Sequence, residues 1–232
     1  MNQRDATRAV LFDMDGTLVD SEGQTDAAIA TVMAAHGVPG VVLAPNDTRG
    51  RTWGHVVTTL ARMHPRAVVD AAALEAELIA SWADQIAAVV EIPGAADAVR
   101  RAAAFAHVAV VSSSPRALVD RITRKLGVRE LLGTIVGAED VSAPKPAPDC
   151  WLRAAGELGV APARCLVVED SRAGLEAARA AGMRAYCVLH VCAEVPACTA
   201  LASAGTFADY HQLGPRFFHD AFAFIDAART SP

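Results

Sequence analysis

Short, wholly apolar runs that each end on acidic or hydroxyl residues constrain this chain more than any other feature. Ala9-Val10-Leu11-Phe12 leads into Asp13-Met14-Asp15-Gly16-Thr17, and Val108-Ala109-Val110-Val111 into Ser112-Ser113-Ser114. Cys165-Leu166-Val167-Val168 leads into Glu169-Asp170-Ser171. An apolar run without alternation suits a strand covered on both faces. Helix-patterned stretches separate these runs, so the expected fold is α/β, with a doubly wound, mostly parallel, Rossmann-like sheet. Such sheets bind ligands just beyond the carboxyl ends of their strands, where these polar residues fall.

Roughly ninety residues separate the first two strands, far more than one crossover helix needs. The interval reads as helices over Thr25 to His36, Gly54 to Met63 and Ala71 to Val90, with Gly37 ending the first. Pro93-Gly94 marks the return. The expected organisation is a core of residues 1–18 and 92–232 with a small helical cap, residues 19–91, inserted after the first strand. Beyond Ser112, Ser114 is expected to cap a helix with Pro115 at its first position, Leu118, Ile122 and Leu126 on its buried face and Gly127 at its end. Thr134-Ile135-Val136 reads as a strand, and Cys150 to Leu158 as a helix closed by Gly159. Ser171 caps a helix running to Gly182, and Arg184 to Leu189 is a further strand. The stretch from about Cys192 to Pro232 has a weaker pattern that admits an edge strand and a closing helix.

At 53% hydrophobic residues, the chain can bury a substantial core. A net charge of −5 argues against nucleic acid or an anionic membrane as partner. No run approaches the ~18 apolar residues of a membrane span, and Met1 to Arg8 carries no signal pattern, so the expected location is cytoplasmic. Cys150, Cys165, Cys187, Cys192 and Cys198 include no C-x-x-C pair; they read as buried free thiols, not as a zinc site or a disulfide framework.

Asp13 and Asp15, two apart on an extended backbone, point to the same side, and Gly16 allows a sharp turn after them. They suit a nucleophile and a general acid/base, or equally an Asp-x-Asp-Gly surface turn. Ser112 to Pro115 offers a hydroxyl and backbone N–H groups to an anion such as phosphate, or is an ordinary capped helix. Lys145 is one of only two lysines in the chain and stands between Pro144 and Pro146. There it serves as a compact positive charge beside a phosphate, or as an exposed loop lysine. Glu169 and Asp170 repel each other unless a cation is near, which suits Mg²⁺, while one of them could instead cap the next helix.

The run Asp13-Met14-Asp15-Gly16-Thr17-Leu18-Val19-Asp20-Ser21 resembles the first motif of the haloacid dehalogenase-like hydrolases. Ser112, Lys145 in Lys-Pro-Ala-Pro-Asp, and Glu169-Asp170-Ser171-Arg172-Ala173-Gly174 follow in that family's order. The resemblance covers the whole chain and is nearest to the helical-cap subgroup of phosphoglycolate, sugar-phosphate and β-phosphoglucomutase-like enzymes. It implies that Asp13 attacks phosphorus while Asp15 serves as acid and then as base. It implies Mg²⁺ held by Asp13, the Asp15 backbone carbonyl and Asp170, with Glu169 a ligand or one layer out. Ser112 and Lys145 would bind the phosphoryl oxygens, helped by Gly16, Ser113 and Ser114.

Asp15 sets the chain apart from the dehalogenases, and the absence of lysine between Thr17 and Pro93 from Schiff-base-forming relatives. Ser21-Glu22-Gly23-Gln24-Thr25 lacks the histidine that the mutases carry there. Arg49, Arg51, Trp53 and His55 resemble a substrate loop: Arg49 would contact an anion or sugar hydroxyls and Trp53 a sugar ring, or else they are solvated arginines and a core tryptophan. The resemblance thus implies a Mg²⁺-dependent phosphatase for a small phosphate ester, a sugar or polyol phosphate, working as a monomer or weak homodimer. The alternatives are a β-phosphoglucomutase-like enzyme and a silent binding protein, which would lack a motif residue; none is missing.

Overall fold

The computed structural model describes residues 7–230; the ends of the expected core, residues 1–6 and 231–232, lie outside it. β1 (Ala9–Phe12) is fully buried and forms the axis of the sheet. Its side chains alternate between two apolar layers: Val10 and Phe12 enter one, Ala9 and Leu11 the other. Two covered faces explain why the run shows no polar alternation.

Immediately after β1 the chain forms a two-stranded antiparallel ribbon, β2 (Val19–Asp20) with β3 (Val90–Glu91). Between these strands stand the helices of the insert: α1 (Glu22–Ala35), α2 (Pro45–Thr48), α3 (Trp53–Met63) and α4 (Ala71–Ala83). Thr52 and Asp70 cap α3 and α4 by accepting from the His55 and Ala73 N–H groups. Trp53, Leu60, Leu74 and Trp82 fill the insert's interior, which is continuous with one layer of the core.

The core resumes with α5 (Ala95–Ala103), β4 (His107–Val111), α6 (Arg116–Lys125) and β5 (Thr134–Val136). It continues through α7 (Asp149–Leu158), β6 (Cys165–Glu169), α8 (Arg172–Ala180) and β7 (Arg184–Val188). Last come α9 (Val195–Leu201), β8 (Gly205–Phe207) and α10 (Phe217–Thr230). The six-stranded sheet runs β5-β4-β1-β6-β7-β8, every pairing parallel. The expected α/β fold with an inserted helical cap is what forms, including the edge strand and closing helix after Cys192.

Three local expectations need correction. The helix expected over Ala71 to Val90 ends at Ala83, and Val90 enters β3. The Lys125 ammonium draws the carbonyls of Ile86, Ala87 and Val89 to itself at 2.8, 2.8 and 2.6 Å, which turns them away from a continuing helix. Ser114 does not cap α6, because its hydroxyl donates to Asp15; Pro115 holds the cap position and the Glu139 carboxylate accepts from the Arg116 N–H. α5 and α9 are helices that the pattern did not announce.

Candidate active site

Phe12 pairs with Val110 on one side and Val168 on the other, so Asp13 emerges between the ends of β4 and β6. The Asp13 N–H still donates to the Val168 carbonyl at 2.9 Å, which fixes its backbone to the sheet. Lys145 reaches this point from the loop before α7, through a cis Lys145–Pro146 peptide. Its ammonium lies 2.5 Å from Asp13 Oδ1 and 2.8 Å from Glu169 Oε2, over the Trp151 ring, with 3% of the residue exposed. Glu169 Oε1 accepts from the N–H groups of Asp170 and Ser171 and from the Ser171 hydroxyl. Asp170 Oδ1 accepts from Thr17 Oγ1 at 3.0 Å.

Gly16 is required here twice over. Its φ of +82° lies in the left-handed region, and a Cβ there would strike the Asp170 carboxylate. Gly174, at the start of α8, leaves room for the Glu169 carboxylate in the same way.

The carboxylates of Asp13, Glu169 and Asp170 are all buried and bring oxygens within 4.8 Å of one another. One ammonium faces these three acids, a formal excess of two negative charges. Burial, then the neighbouring Glu169, pushes the Asp13 carboxyl well above its usual range, with Lys145 opposing. Asp170 is raised by burial, Glu169 and Asp13, against the Thr17 hydrogen bond. Burial pulls the Lys145 ammonium down, but Asp13 and Glu169 more than reverse this and hold it charged. Buried carboxylates with two charges uncompensated fit a hard divalent cation such as Mg²⁺. Both Glu169 oxygens are already engaged, so Asp13 and Asp170 offer the better ligands and Glu169 sets Lys145 in place.

Asp15 stands at the mouth. Its Oδ1 accepts from Ser21 Oγ at 2.7 Å, and its Oδ2 from Ser112 and Ser114 Oγ at 3.0 and 2.9 Å. Ser112 Oγ in turn accepts from the Ser114 N–H, while Ser113 donates across the cleft to the Gly50 carbonyl.

The facing wall belongs to the insert. Gly50, at φ +66°, lies against Ser171, where a Cβ would collide with the hydroxyl. Arg49 pairs with Glu22 at 3.2 Å and donates to the Val191 carbonyl. Burial raises the Glu22 carboxyl and Arg49 partly offsets that rise. Arg51 donates to the Asn46 carbonyl. Trp53, 7% exposed, lines the cavity together with Arg49, Arg51, Asp13, Asp15 and Ser112. That cavity holds about 40 Å³, room for a few waters. A second groove of about 210 Å³ opens on the other side of Arg49, toward Asp170 and Arg172. His55 lines neither space, and burial lowers the pKa of its imidazole.

Every residue expected at the core side therefore comes together, and Arg49 and Trp53 reach the cleft from the insert. Residue-by-residue reading missed the partners: Ser21 on Asp15, Thr17 on Asp170, Glu22 on Arg49 and Trp151 under Lys145. Ser21 and Thr17 lay inside the first motif, where their hydroxyls were a usable signal. Glu22 and Trp151 carried none, since their roles depend on helix docking.

A model of the haloacid dehalogenase-like hydrolases matches residues 7–182. Fructose-1-phosphate phosphatase YqaB of Escherichia coli K12 is 31% identical over 176 residues, covering 76% of this chain and 93% of that protein. Validoxylamine A 7′-phosphate phosphatase of Streptomyces hygroscopicus subsp. limoneus is 32% identical over 182 residues, covering 78% and 84%. Hexitol phosphatase B of Escherichia coli K12 is 32% identical over 188 residues, covering 78% and 82%. The crystal structure of CbbY from Rhodobacter sphaeroides in complex with phosphate superposes with a TM-score of 0.70 at 28% identity, over 78% of this chain and 86% of that one. With four motifs converging on one cleft and a family model spanning most of its length, the chain belongs to the haloacid dehalogenase-like hydrolases.

Proposed function

We propose that this chain is a Mg²⁺-dependent phosphatase that hydrolyses a small sugar or polyol phosphate through an aspartyl-phosphate. The observation that carries this reading is the buried Asp13 carboxylate, fixed by Lys145 beside Asp15 at the carboxyl end of β1. Lys145 binds one Asp13 oxygen and leaves the other to attack phosphorus. Asp15, which lines the cavity beside Asp13, gives a proton to the leaving alkoxide and then takes one from water. Ser112 turns its hydroxyl from Asp15 to a phosphoryl oxygen as substrate enters, and Lys145 offsets the charge that builds on the equatorial oxygens. Asp13, Asp170 and the Asp15 carbonyl would hold Mg²⁺, whose charge lowers the repulsion between carboxylate and phosphate.

A cavity of about 40 Å³ is too small for a sugar phosphate, so the cap, residues 19–91, must lift from the core of 1–18 and 92–232 to admit one. Arg49 and Trp53 then meet the leaving group. Relatives named for fructose 1-phosphate and hexitol phosphates support that substrate class.

The test is phosphate release from a panel of sugar, polyol, nucleotide and glycolate phosphates, with Mg²⁺ and again with excess chelator. Release that favours sugar or polyol phosphates and stops with chelator is the expected result. Activity that survives chelation refutes the metal role. Isomerised sugar phosphate without free phosphate would make the enzyme a mutase.

A further inference from the structure

We propose that Cys187, Cys192 and Cys198 form a second metal site, for one thiophilic d¹⁰ cation, Zn²⁺ by charge and coordination. The three residues come from β7, the following loop and α9, and their Sγ atoms all lie within 4.8 Å of one another. The sequence spacing showed no metal motif; the turn after β7 brings the thiols together, with the Cys192 N–H donating to the Leu189 carbonyl. Cys187 and Cys198 are buried and Cys192 is half-buried, which gives an ion a way in. A tetrahedral site with Zn–S bonds of ~2.3 Å sets its sulfurs ~3.8 Å apart, a contraction of about 1 Å at most. Thiolates select Zn²⁺ over Mg²⁺, whereas the carboxylates one strand away, where Glu169 pairs with Cys187, do the reverse.

Charge and access agree with this assignment. Three thiolates around Zn²⁺ leave one negative charge, and the Arg49 guanidinium, bonded to the Val191 carbonyl beside Cys192, faces it. The groove lined by Cys198, Glu194 and Arg172 leaves the fourth position to water. Binding replaces S–H bonds by S–Zn bonds and releases the protons to solvent, with no change of oxidation state. Cys150 and Cys165 lie outside the cluster and behave as buried apolar groups.

The experiment uses the full chain, reduced, stripped of metal and saturated with Mg²⁺ so that the carboxylate site is filled. Co²⁺ is then titrated as the probe. A thiolate-to-cobalt charge-transfer band that saturates at one ion per chain and is displaced by Zn²⁺ is expected. Cys192→Ser, the least buried position, should weaken Co²⁺ binding about tenfold or more while its melting curve stays cooperative. Cys150→Ser should leave the band unchanged. Absence of the band overturns the proposal, as does its full survival in Cys192→Ser. A mass two hydrogens lower with two thiols lost, in air and without the band, would also overturn it and show a disulfide instead.

Discussion

On the core side of the cleft, Asp13, Lys145, Glu169 and Asp170 sit at the ends of strands and in loops bound to them, each held by an ion pair or a hydrogen bond within a buried network that keeps an excess of negative charge. On the cap side, Arg49, Gly50 and Trp53 stand on a loop and at a helix start, and Arg49 is held by one carboxylate and one carbonyl. The first wall is preorganised by the sheet and cannot shift without breaking ladder hydrogen bonds. The second docks through side-chain contacts to single carbonyls and through apolar packing, and on the proposed reading it lifts to admit substrate. On the proposed reading, the difference gives chemistry to the core and selectivity to the cap.

The largest expected effect falls on the core wall. Asp13→Asn should lower turnover by at least about 10⁴-fold on every substrate, because it removes the nucleophile itself. Without Mg²⁺ its melting temperature should equal or exceed that of the parent chain, since one of three crowded buried carboxylates is gone. Phosphate release and a thermal melt check both halves, and residual turnover near the parent rate would remove Asp13 from its role.

Arg49→Ala probes the opposite wall. It should lower kcat/KM for the preferred sugar or polyol phosphate about 10- to 100-fold, the worth of one or two charge-assisted hydrogen bonds. Turnover of a generic aryl phosphate, which lacks the groups that Arg49 would meet, should change by less than about threefold. Equal losses on both substrates would erase the division between the walls.

Lys125→Met tests the joint between them. The Lys125 side chain leaves α6 of the core and gathers three carbonyls of the segment between α4 and β3. Its loss should cost about 1–3 kcal/mol of stability, read by denaturant unfolding. It should also raise KM for the preferred substrate roughly several-fold through looser cap closure, while aryl phosphate turnover stays near that of the parent chain. A collapse of both activities would show that the joint also shapes the core wall.

The same contrast governs what the sequence made legible. Asp13, Ser112 and Asp170 were readable because a buried strand with no alternation announces its own end, and because parallel strands bring their ends together. Lys145 was readable as one of two lysines, set between prolines. Val90 was misassigned because Ala71 to Val90 contains no breaker; the carbonyls that would continue the helix are held by an ammonium 36 residues beyond Val89. α5 went unread although Asp97, Arg100 and Arg101 interrupt its alanines at helical spacing, which was a usable signal. Ser114 fits a helix cap by local rules, yet a carboxylate 99 residues away takes its hydroxyl. Local propensity yields wherever a distant charge makes the better partner.

The smallest expected effect lies wholly within the cap. His36, at the end of α1, sets Nε2 2.7 Å from Glu77 of α4 and Nδ1 3.3 Å from the Ala67 carbonyl. Two acceptors require both ring nitrogens to donate, which is the imidazolium form, and the Glu77 hydrogen bond raises the His36 pKa above its ordinary value. A folded pKa above the unfolded one adds stability that is fully present below about pH 6.5 and is lost as pH rises through the raised value. Both side chains are more than a quarter exposed, so the gain should stay below about 1 kcal/mol. Amide exchange in α1 and α4 should therefore quicken between about pH 6 and pH 8, after correction for intrinsic rates, and Glu77→Gln should abolish that extra change. Exchange in β1, β4 and β6 should show no such component, because no contact of the pair reaches the sheet. A matching change there would mean that cap and core open as one unit, and that the cleft's two walls are less separable than their construction implies.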